Sequence, residues 1–257
     1  MSSREQNEKT ALVTGGSHGI GYELAKLCAQ DGYDLVLVAR QVERLRRVAD
    51  ELESAWEITT MTLSKDLSRP ESAQEIYDEV VRKDMRVDVL VNNAAARPTP
   101  DRFNKMRLEE TNDLLRTNVV TLTKLTRLFA APMVERGAGR ILNVSSAAGE
   151  IPTPAFGLYA ATKGYVSTLS EVLAQQLAPI GITVTVLIPG WTNTEMAREV
   201  FDALDIDPAS KEIMSPEKVA KAGHNGLMNG QTRVIPGRQY RRRVKNALEM
   251  KASDIEP

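Results

Sequence analysis

The chain has 257 residues, 42% of them hydrophobic and 26% charged, a composition typical of a globular protein whose length supports one α/β domain. Its 33 basic and 34 acidic side chains nearly cancel, which argues against a dedicated surface for nucleic acid or membrane. With one cysteine and two histidines, the sequence offers no internal disulfide and no metal site rich in these residues.

Neither a membrane-spanning segment nor a secretory signal is predicted. No stretch reaches the roughly 18 apolar residues that a spanning helix needs, and the polar residues 1–9 do not resemble a signal peptide. We therefore expect a cytoplasmic protein. Cys28 is predicted to be a small buried side chain. The basic cluster at residues 241–243 and Lys245 is interpreted as solvated surface.

Short apolar runs alternate along the chain with longer segments of helical periodicity. The predicted strands cover residues 10–14, 34–39, 58–63, 87–91, 140–145 and 182–188. The predicted helices cover residues 19–31, 42–55, 70–83, 108–135 and 160–177. Apolar strands separated by helices indicate an α/β fold, a doubly wound parallel sheet with helices on both faces. We expect one domain over residues 1–257, with the strand-poor segment 191–230 as a mobile cap over the site.

A glycine-rich turn joins the first predicted strand to the first predicted helix. It reads Thr14-Gly15-Gly16-Ser17-His18-Gly19-Ile20-Gly21. Glycine lets the backbone turn sharply and lets a diphosphate approach it closely. The N-terminus of the helix offers N–H groups and a partial positive charge to that anion. The place of the turn between a strand and a helix favours dinucleotide binding over a tight turn alone.

The end of the second predicted strand bears on the choice of dinucleotide. Proteins that bind NAD usually carry an acidic residue there for the ribose 2′-hydroxyl, whereas this strand ends at Ala39 and Arg40 follows. A guanidinium can bind a 2′-phosphate with two hydrogen bonds, so Arg40 favours NADP(H). The alternative is an exposed charge that opens the next helix. His18 could contact the same phosphate or be a surface residue of the turn, and the sequence leaves both open.

Tyr159 and Lys163 form a candidate pair for proton transfer. Their separation of four residues places both side chains on one face of a helix. The phenol has an ordinary pKa of about 10, and a neighbouring ammonium is expected to lower it because the positive charge favours the phenolate.

These motifs resemble those of the short-chain dehydrogenase/reductase family. The glycine turn is similar to the family's TGxxxGIG pattern, Tyr159 and Lys163 are similar to its Tyr-x-x-x-Lys pair, and residues 10–195 carry its motifs in order. Ser146, 13 residues before the tyrosine, matches the serine that orients the substrate oxygen. The resemblance implies that Asn118, predicted in mid-helix, holds a water that links Lys163 to solvent.

The resemblance also implies further contacts with the dinucleotide. Asp66-Leu67 is similar to a pair that contacts adenine, and Asn92-Asn93-Ala94-Ala95 to an NNAG motif beside the adenosine ribose, although Ala95 replaces the usual glycine and puts the turn in question. Residues 189–194 are similar to a PGxxxT motif that holds the nicotinamide carboxamide. The implied cofactor-binding residues are Gly15, Ser17, His18, Gly19, Ile20, Gly21, Arg40, Asp66, Leu67, Asn93, Tyr159, Lys163, Pro189, Gly190, Thr192 and Thr194.

The activity implied by this resemblance is NADP(H)-dependent hydride transfer between the nicotinamide and a carbonyl or secondary alcohol, most simply ketone reduction, with no metal. 3-Oxoacyl reductases and hydroxysteroid dehydrogenases are similar in general pattern. Two alternatives stay open: an NAD-dependent alcohol dehydrogenase of the same family, and a non-catalytic dinucleotide sensor or scaffold.

Several apolar residues could line a pocket for an acyl, steroid-like or aromatic ketone, or could equally be core packing. They are Ile151, Pro152, Phe156, Trp191 and Met196. Ser145 points away from Ser146 if the strand continues, and it is a candidate neighbour of this pocket.

The helical patterns at 108–135 and 160–177 match helices that pair between subunits in many family members, so the resemblance implies a homodimer or homotetramer. The stretch from Gln239 onwards has no assigned role. It could fold over the site, cross to a neighbouring subunit or be disordered.

Overall fold

Seven parallel strands form the centre of the protein, seen in a computed structural model that describes residues 9–97, 103–151, 156–210 and 212–253. The strands are β1 (Thr10–Thr14), β2 (Asp34–Ala39), β3 (Thr60–Ser64), β4 (Val87–Asn92), β5 (Gly139–Val144), β6 (Ile182–Leu187) and β7 (Arg233–Val234). They are ordered β3-β2-β1-β4-β5-β6-β7, and every pairing is parallel. Because β1 lies between β2 and β4, the strand order reverses there, and a crevice opens at the carboxyl ends of β1 and β4.

Helices connect the strands and cover both faces of the sheet. They are α1 (Gly19–Gln30), α2 (Val42–Ala55), α3 (Ser72–Arg82), α4 (Leu108–Leu115), α5 (Leu122–Arg136), α6 (Ala147–Glu150), α7 (Gly157–Leu177), α8 (Glu195–Ala203), α9 (Pro216–Met228) and α10 (Arg238–Ser253). Within the described residues, none of them is long and apolar enough to cross a bilayer.

Each face of the sheet has its own apolar core. On one face α1, α2 and α9 contribute side chains such as Leu24, Leu45 and Val219. On the other, α3, α5 and α7 contribute Ile76, Phe129 and Ala174 among others. Since both faces of the inner strands are buried, β1 and β2 are mostly apolar runs, whereas the edge strand β3 is half-buried and contains threonine and serine. The predicted doubly wound parallel sheet is confirmed, and Cys28 is buried as predicted.

The long helical pattern predicted at 108–135 is interrupted. Residues Arg116–Thr121 form a π-helical turn between α4 and α5. A π turn admits one extra residue without ending the helix. The apolar periodicity therefore continues across it, and the sequence does not indicate the interruption. Asn118 lies in this turn rather than in a regular helix, and its side chain is directed inwards with 1% of its surface exposed.

The segment predicted as a cap, 191–230, contains two different parts. Helix α9 belongs to the core, since Val219, Ala220 and Leu227 are fully buried and the helix packs along α1. Only the part before it, which includes α8, is in a position to cover the crevice. The role of that part as a cap stays a prediction.

The C-terminal stretch forms the helix α10, whose role the sequence left open. Tyr240 is 4% exposed, its ring lies against Gly190, and its hydroxyl accepts a hydrogen bond from the Trp191 N–H at 3.0 Å. The described part of this stretch is therefore ordered and packs on the loop that follows β6 of its own chain. Its apolar pattern is sparse because, among the residues of α10 up to 249, Tyr240 and Val244 are the buried ones on a helix rich in basic residues.

Candidate active site

The predicted diphosphate-binding turn joins β1 to α1 at the crevice. A Cβ at Gly21 would lie 2.2 Å from the carbonyl oxygen of Gly15, which no side chain can tolerate. Gly19 has a φ of +60°, and a Cβ there would lie 3.3 Å from the Thr194 methyl group. The shape of the turn therefore depends on backbone packed against backbone, with Thr194 seated over it.

The start of α1 fits the diphosphate of a dinucleotide. His18 is the N-cap residue in extended conformation, and its side chain makes no capping hydrogen bond. The first N–H groups of a helix have no partner within the helix, and the helix dipole favours an anion at this end. The Ser17 hydroxyl lies 3.0 Å from His18 Nδ1, so these two side chains satisfy each other and leave the backbone N–H groups to a ligand.

The motif at the end of β4 fastens the glycine turn to the sheet. Asn93 Nδ2 donates to the carbonyl oxygens of Thr14 at 3.0 Å and Gly15 at 3.3 Å, while its backbone N–H donates to the Thr14 hydroxyl at 3.0 Å. Ala95, where glycine was expected, is not among the described non-glycine residues with positive φ. The turn therefore does not require glycine at this position.

Three basic side chains lie beside the glycine turn, on the side of β2 and α2. They are His18, Arg40 and Arg44. Burial lowers the pKa of His18 first, and the positive charges of Arg44 and Arg40 lower it further, while Glu195 opposes them. The imidazole is therefore neutral near pH 7. The sequence did not single out Arg44, because an arginine in the first turn of a surface helix is common and carries no functional signal by itself.

Asp66 and Leu67 lie just beyond β3 and are tied into local structure. The Asp66 carboxylate accepts hydrogen bonds from the backbone N–H and the hydroxyl of Ser68, both at 3.0 Å. Leu67 is buried, and its carbonyl oxygen accepts a hydrogen bond from the Thr121 hydroxyl at 2.8 Å. These contacts fix the pair at the carboxyl edge of the sheet, and its contact with adenine stays a prediction.

Ser146, Tyr159 and Lys163 come together at the carboxyl end of β5. The Ser146 side chain caps α6 by accepting from the Ala148 N–H at 3.2 Å, and it is also hydrogen-bonded to the Tyr159 hydroxyl. Helix α7 begins at Gly157, before the predicted start at residue 160, so Tyr159 and Lys163 share one helix. The Lys163 Nζ lies 5.7 Å from the centre of the Tyr159 ring.

The electrostatics of this pair differ from the expectation. Burial raises the pKa of Tyr159 to about 12, and the hydrogen bond with Ser146 offsets only part of that rise. Burial also lowers the pKa of Lys163 to about 8, and its amine donates to the Val144 carbonyl oxygen at 2.8 Å. The expected acidification of the phenol by the lysine is therefore wrong for the chain alone, because desolvation outweighs the charge of a distant amine.

Asn118 and Ser145 form hydrogen bonds that stabilise the segments next to Ser146, Tyr159 and Lys163. Asn118 accepts from the Ala96 N–H at 2.9 Å and donates to the Thr162 hydroxyl at 3.1 Å. Ser145 donates to the Lys163 carbonyl oxygen at 2.7 Å and is buried against α7. The prediction of Ser145 as a pocket neighbour is wrong, since Ser145, just after β5, is 3% exposed and its hydroxyl is used by the backbone of α7.

Residues 189–194 approach the same site from β6. The Pro189 carbonyl oxygen accepts from the Ala147 N–H at 2.8 Å, which ties this loop to the residue after Ser146. Thr192 is buried and donates to the Gly190 carbonyl oxygen at 3.0 Å. Thr194 caps α8 by accepting from the Ala197 N–H at 3.2 Å. Both threonines are thus held in place by their own loop.

Two of the predicted pocket residues, Phe156 and Trp191, form an aromatic group with Phe201 of α8. Trp191 lies between Phe156 and Phe201, with ring centres 5.9 and 5.4 Å apart in edge-to-face arrangements. Phe156 and Phe201 are buried, whereas Ile151, Trp191 and Met196 are half-buried. Pro152 lies outside the described residues. The group anchors α8, and its half-buried members are those available to a ligand.

The buried amine of Lys163 predicts a pH dependence of stability. Its pKa falls from 10.5 in the unfolded chain to about 8 in the folded one, so between these values the unfolded chain binds more protons and stability rises with pH. Relative to Lys163→Met, we expect the free energy of unfolding of the wild type to rise by up to about 3 kcal/mol across that range. Urea unfolding of both proteins at pH 7, 8.5 and 9.5 measures this. A constant difference would contradict the buried amine.

Comparison with known proteins places these features in a wider group. A family model described as short chain dehydrogenase matches residues 9–205. A very-long-chain 3-oxoacyl-CoA reductase of Rattus norvegicus is 33% identical over 213 residues, which cover 81% of this chain and 67% of the relative. Among solved structures, a short-chain dehydrogenase from Sphingobium yanoikuyae in complex with NADPH is similar with a TM-score of 0.83 and 31% identity, over 96% of both chains. A bulky-bulky ketone specific alcohol dehydrogenase from Comamonas testosteroni has a TM-score of 0.80 and 28% identity, over 96% of this chain and 94% of its own.

Proposed function

The chain belongs to the short-chain dehydrogenase family, and from that premise we propose that it is an NADP(H)-dependent reductase of ketones. The observation that carries the proposal is the meeting of Ser146, Tyr159 and Lys163 at the carboxyl end of β5. This cluster lies at the same edge of the sheet as the glycine turn after β1. A proton donor and a diphosphate-binding turn on one edge are what hydride transfer to a carbonyl requires.

Tyr159 is the proposed proton donor. A bound nicotinamide would supply the hydride. The raised pKa of Tyr159, about 12, keeps its hydroxyl protonated at neutral pH, so it can give a proton to the substrate oxygen as negative charge develops there. Ser146, hydrogen-bonded to Tyr159, is placed to donate to the same oxygen and to orient it.

Lys163 and Asn118 support the tyrosine in this proposal. With a pKa of about 8, Lys163 is mostly charged at pH 7, and its positive charge stabilises the phenolate that remains after proton transfer. Asn118 lies in the π turn between α4 and α5. Its side-chain amide is hydrogen-bonded to the Ala96 N–H and the Thr162 hydroxyl. We assign it the family role of holding a water that returns a proton to this group.

Arg40 is the proposed determinant of the preference for NADP(H). Arg40 is exposed and directly follows β2. Proteins that bind NAD carry an acidic residue near this position, and its carboxylate would repel a 2′-phosphate. Replacing Arg40 by aspartate should raise the Kd for NADPH and lower the Kd for NADH, so that the preference reverses. Fluorescence titration with both dinucleotides measures it. Arg46→Asp, on the outer side of α2, is the matched control, and equal behaviour of the two variants would contradict the assignment.

The proposed substrate is a ketone with a sizeable apolar group. Half-buried Trp191, in the loop after β6, and Met196, at the start of α8, offer apolar surface. The printed names of two relatives, a 3-oxoacyl-CoA reductase and a bulky-bulky ketone specific alcohol dehydrogenase, point the same way. A panel of 3-oxoacyl thioesters, steroid ketones and aromatic ketones, followed by NADPH absorbance, tests it. If NADPH binds but no member of the panel is reduced, the non-catalytic sensor becomes the better hypothesis.

We propose a homodimer or homotetramer joined through α7 and the helical segment 108–135, which comprises α4, the π turn and α5. Val120 of the π turn and Val172 of α7 are 40% and 44% exposed, and these two elements are in contact. Replacing either valine by glutamate would place a charge in such an interface, and we expect light scattering to show a smaller assembly. Val81 on α3, 55% exposed, is the control position for Val81→Glu. A wild-type monomer would contradict the proposal.

A further inference from the structure

An ion pair joins two distant parts of the chain beside the glycine turn. Arg44 Nη1, in the first turn of α2, lies 2.8 Å from Glu195 Oε2 at the start of α8, 151 residues away. The side chains are 32% and 59% exposed. An exposed pair of this kind contributes little to stability, so it can exchange partners at low cost.

This pair lies next to the place where the dinucleotide is proposed to bind. Thr194, the residue before Glu195, packs over Gly19 of the glycine turn. His18 responds to the charges of Arg44, Glu195 and Arg40, with Arg44 acting on it more strongly than Arg40. Arg44, Glu195 and Arg40 therefore all lie near enough to His18 to act on its charge.

The charges in this cluster are not balanced. Arg40 and Arg44 carry two positive charges, and in the described part of the chain Glu195 is the carboxylate paired with either of them. A phosphate dianion accepts two hydrogen bonds from each guanidinium and binds it more strongly than an exposed carboxylate does. A 2′-phosphate is therefore the better ligand for Arg44.

We propose that Arg44 is a second determinant of 2′-phosphate binding. In the absence of the dinucleotide, Glu195 is paired with the Arg44 guanidinium, and the 2′-phosphate displaces it on binding. This inference rests on the proposed preference for NADP(H). Glu195 lowers the affinity for NADPH in two ways: it must be displaced from Arg44, and its carboxylate repels the incoming phosphate. NADH has no 2′-phosphate, leaves the ion pair intact and is unaffected by it.

Dissociation constants of NADPH and NADH, measured by fluorescence titration or calorimetry without substrate, test the inference. Arg44→Gln should raise the Kd for NADPH about 10-fold or more, the factor for one lost hydrogen bond between charged groups, and leave the Kd for NADH within twofold. Glu195→Gln should lower the Kd for NADPH severalfold and leave that for NADH unchanged. Combined with Arg44→Gln, it should give a smaller gain than in the wild type, because the freed guanidinium is missing and only the relief of charge repulsion remains.

The matched control is Glu199→Gln. Glu199 lies one turn further along α8 and pairs with Arg97, so its replacement removes the same charge from the same helix without freeing Arg44. Equal effects of Glu195→Gln and Glu199→Gln, equal effects on the two dinucleotides, or an Arg44→Gln protein that binds NADPH normally would each overturn the inference. If Arg40→Asp alters the preference for NADPH over NADH while Arg44→Gln and Glu195→Gln do not, the proposed function stands and this inference fails. If Arg40→Asp has no effect either, the NADP(H) preference fails first.

Discussion

Replacing Tyr159 by phenylalanine is expected to lower kcat for ketone reduction by about 10²–10⁴-fold or more. The change removes only the hydroxyl, which is the proposed proton donor and the partner of Ser146. The ring remains to fill its half-buried site, so the fold and the glycine turn should not change. We therefore expect the Kd for NADPH to stay within twofold of the wild type. Steady-state rates on the best ketone of the panel and fluorescence titration of NADPH provide the two measurements.

A second tyrosine on the same helix provides the control. Tyr165 lies six residues further along α7, is 38% exposed and has its hydroxyl 2.8 Å from the Thr123 hydroxyl. Tyr165→Phe removes an equivalent hydroxyl away from the catalytic cluster and should retain normal turnover. A Tyr159→Phe enzyme that keeps more than about a tenth of wild-type turnover, well above the range for loss of an acid–base group, would show that the proton comes from elsewhere.

The inner part of the sheet could be predicted from the sequence because its strands are buried on both faces. Such strands are continuous apolar runs, and β1 and β2 were predicted with the bounds that the structure gives them. The strand β7 has two residues and too little apolar length to stand out. The π turn at Arg116–Thr121 was missed for a different reason, since the apolar pattern of a helix runs through it unbroken.

The sequence was sufficient to predict which residues form the catalytic cluster, but not the direction of their pKa shifts. The spacing of Tyr159 and Lys163 determines which side chains meet, since four residues make one turn of helix. The sign of the pKa shift depends on burial and on the direction of the amine, and Lys163 donates to the Val144 carbonyl oxygen. Likewise, the sequence could not show that Arg44 meets Glu195, because nothing local relates two residues so far apart in the chain.

Replacing Gly21 by alanine tests whether the shape of the glycine turn is needed for dinucleotide binding. The new Cβ would lie 2.2 Å from the Gly15 carbonyl oxygen and 2.4 Å from Asn93 Nδ2. The first is a backbone atom and cannot rotate away, so the turn must open and the start of α1 must move from the crevice. Overpacking of this kind costs about 1–3 kcal/mol of stability. We expect restoring the turn around the diphosphate to cost a similar free energy, which corresponds to a rise of about 5–150-fold in the Kd for NADPH.

Two measurements keep stability and binding apart in this test. Urea unfolding reports the strain in the folded chain, and NADPH titration well below the unfolding midpoint reports the turn itself. Gly157→Ala is the control, because a Cβ there meets no atom of the described residues within 4 Å, and it should leave NADPH binding unchanged and cost no stability. If Gly21→Ala loses stability but binds NADPH normally, then the close packing of Gly21 on Gly15 serves the fold alone. The diphosphate must in that case be held by another part of the crevice.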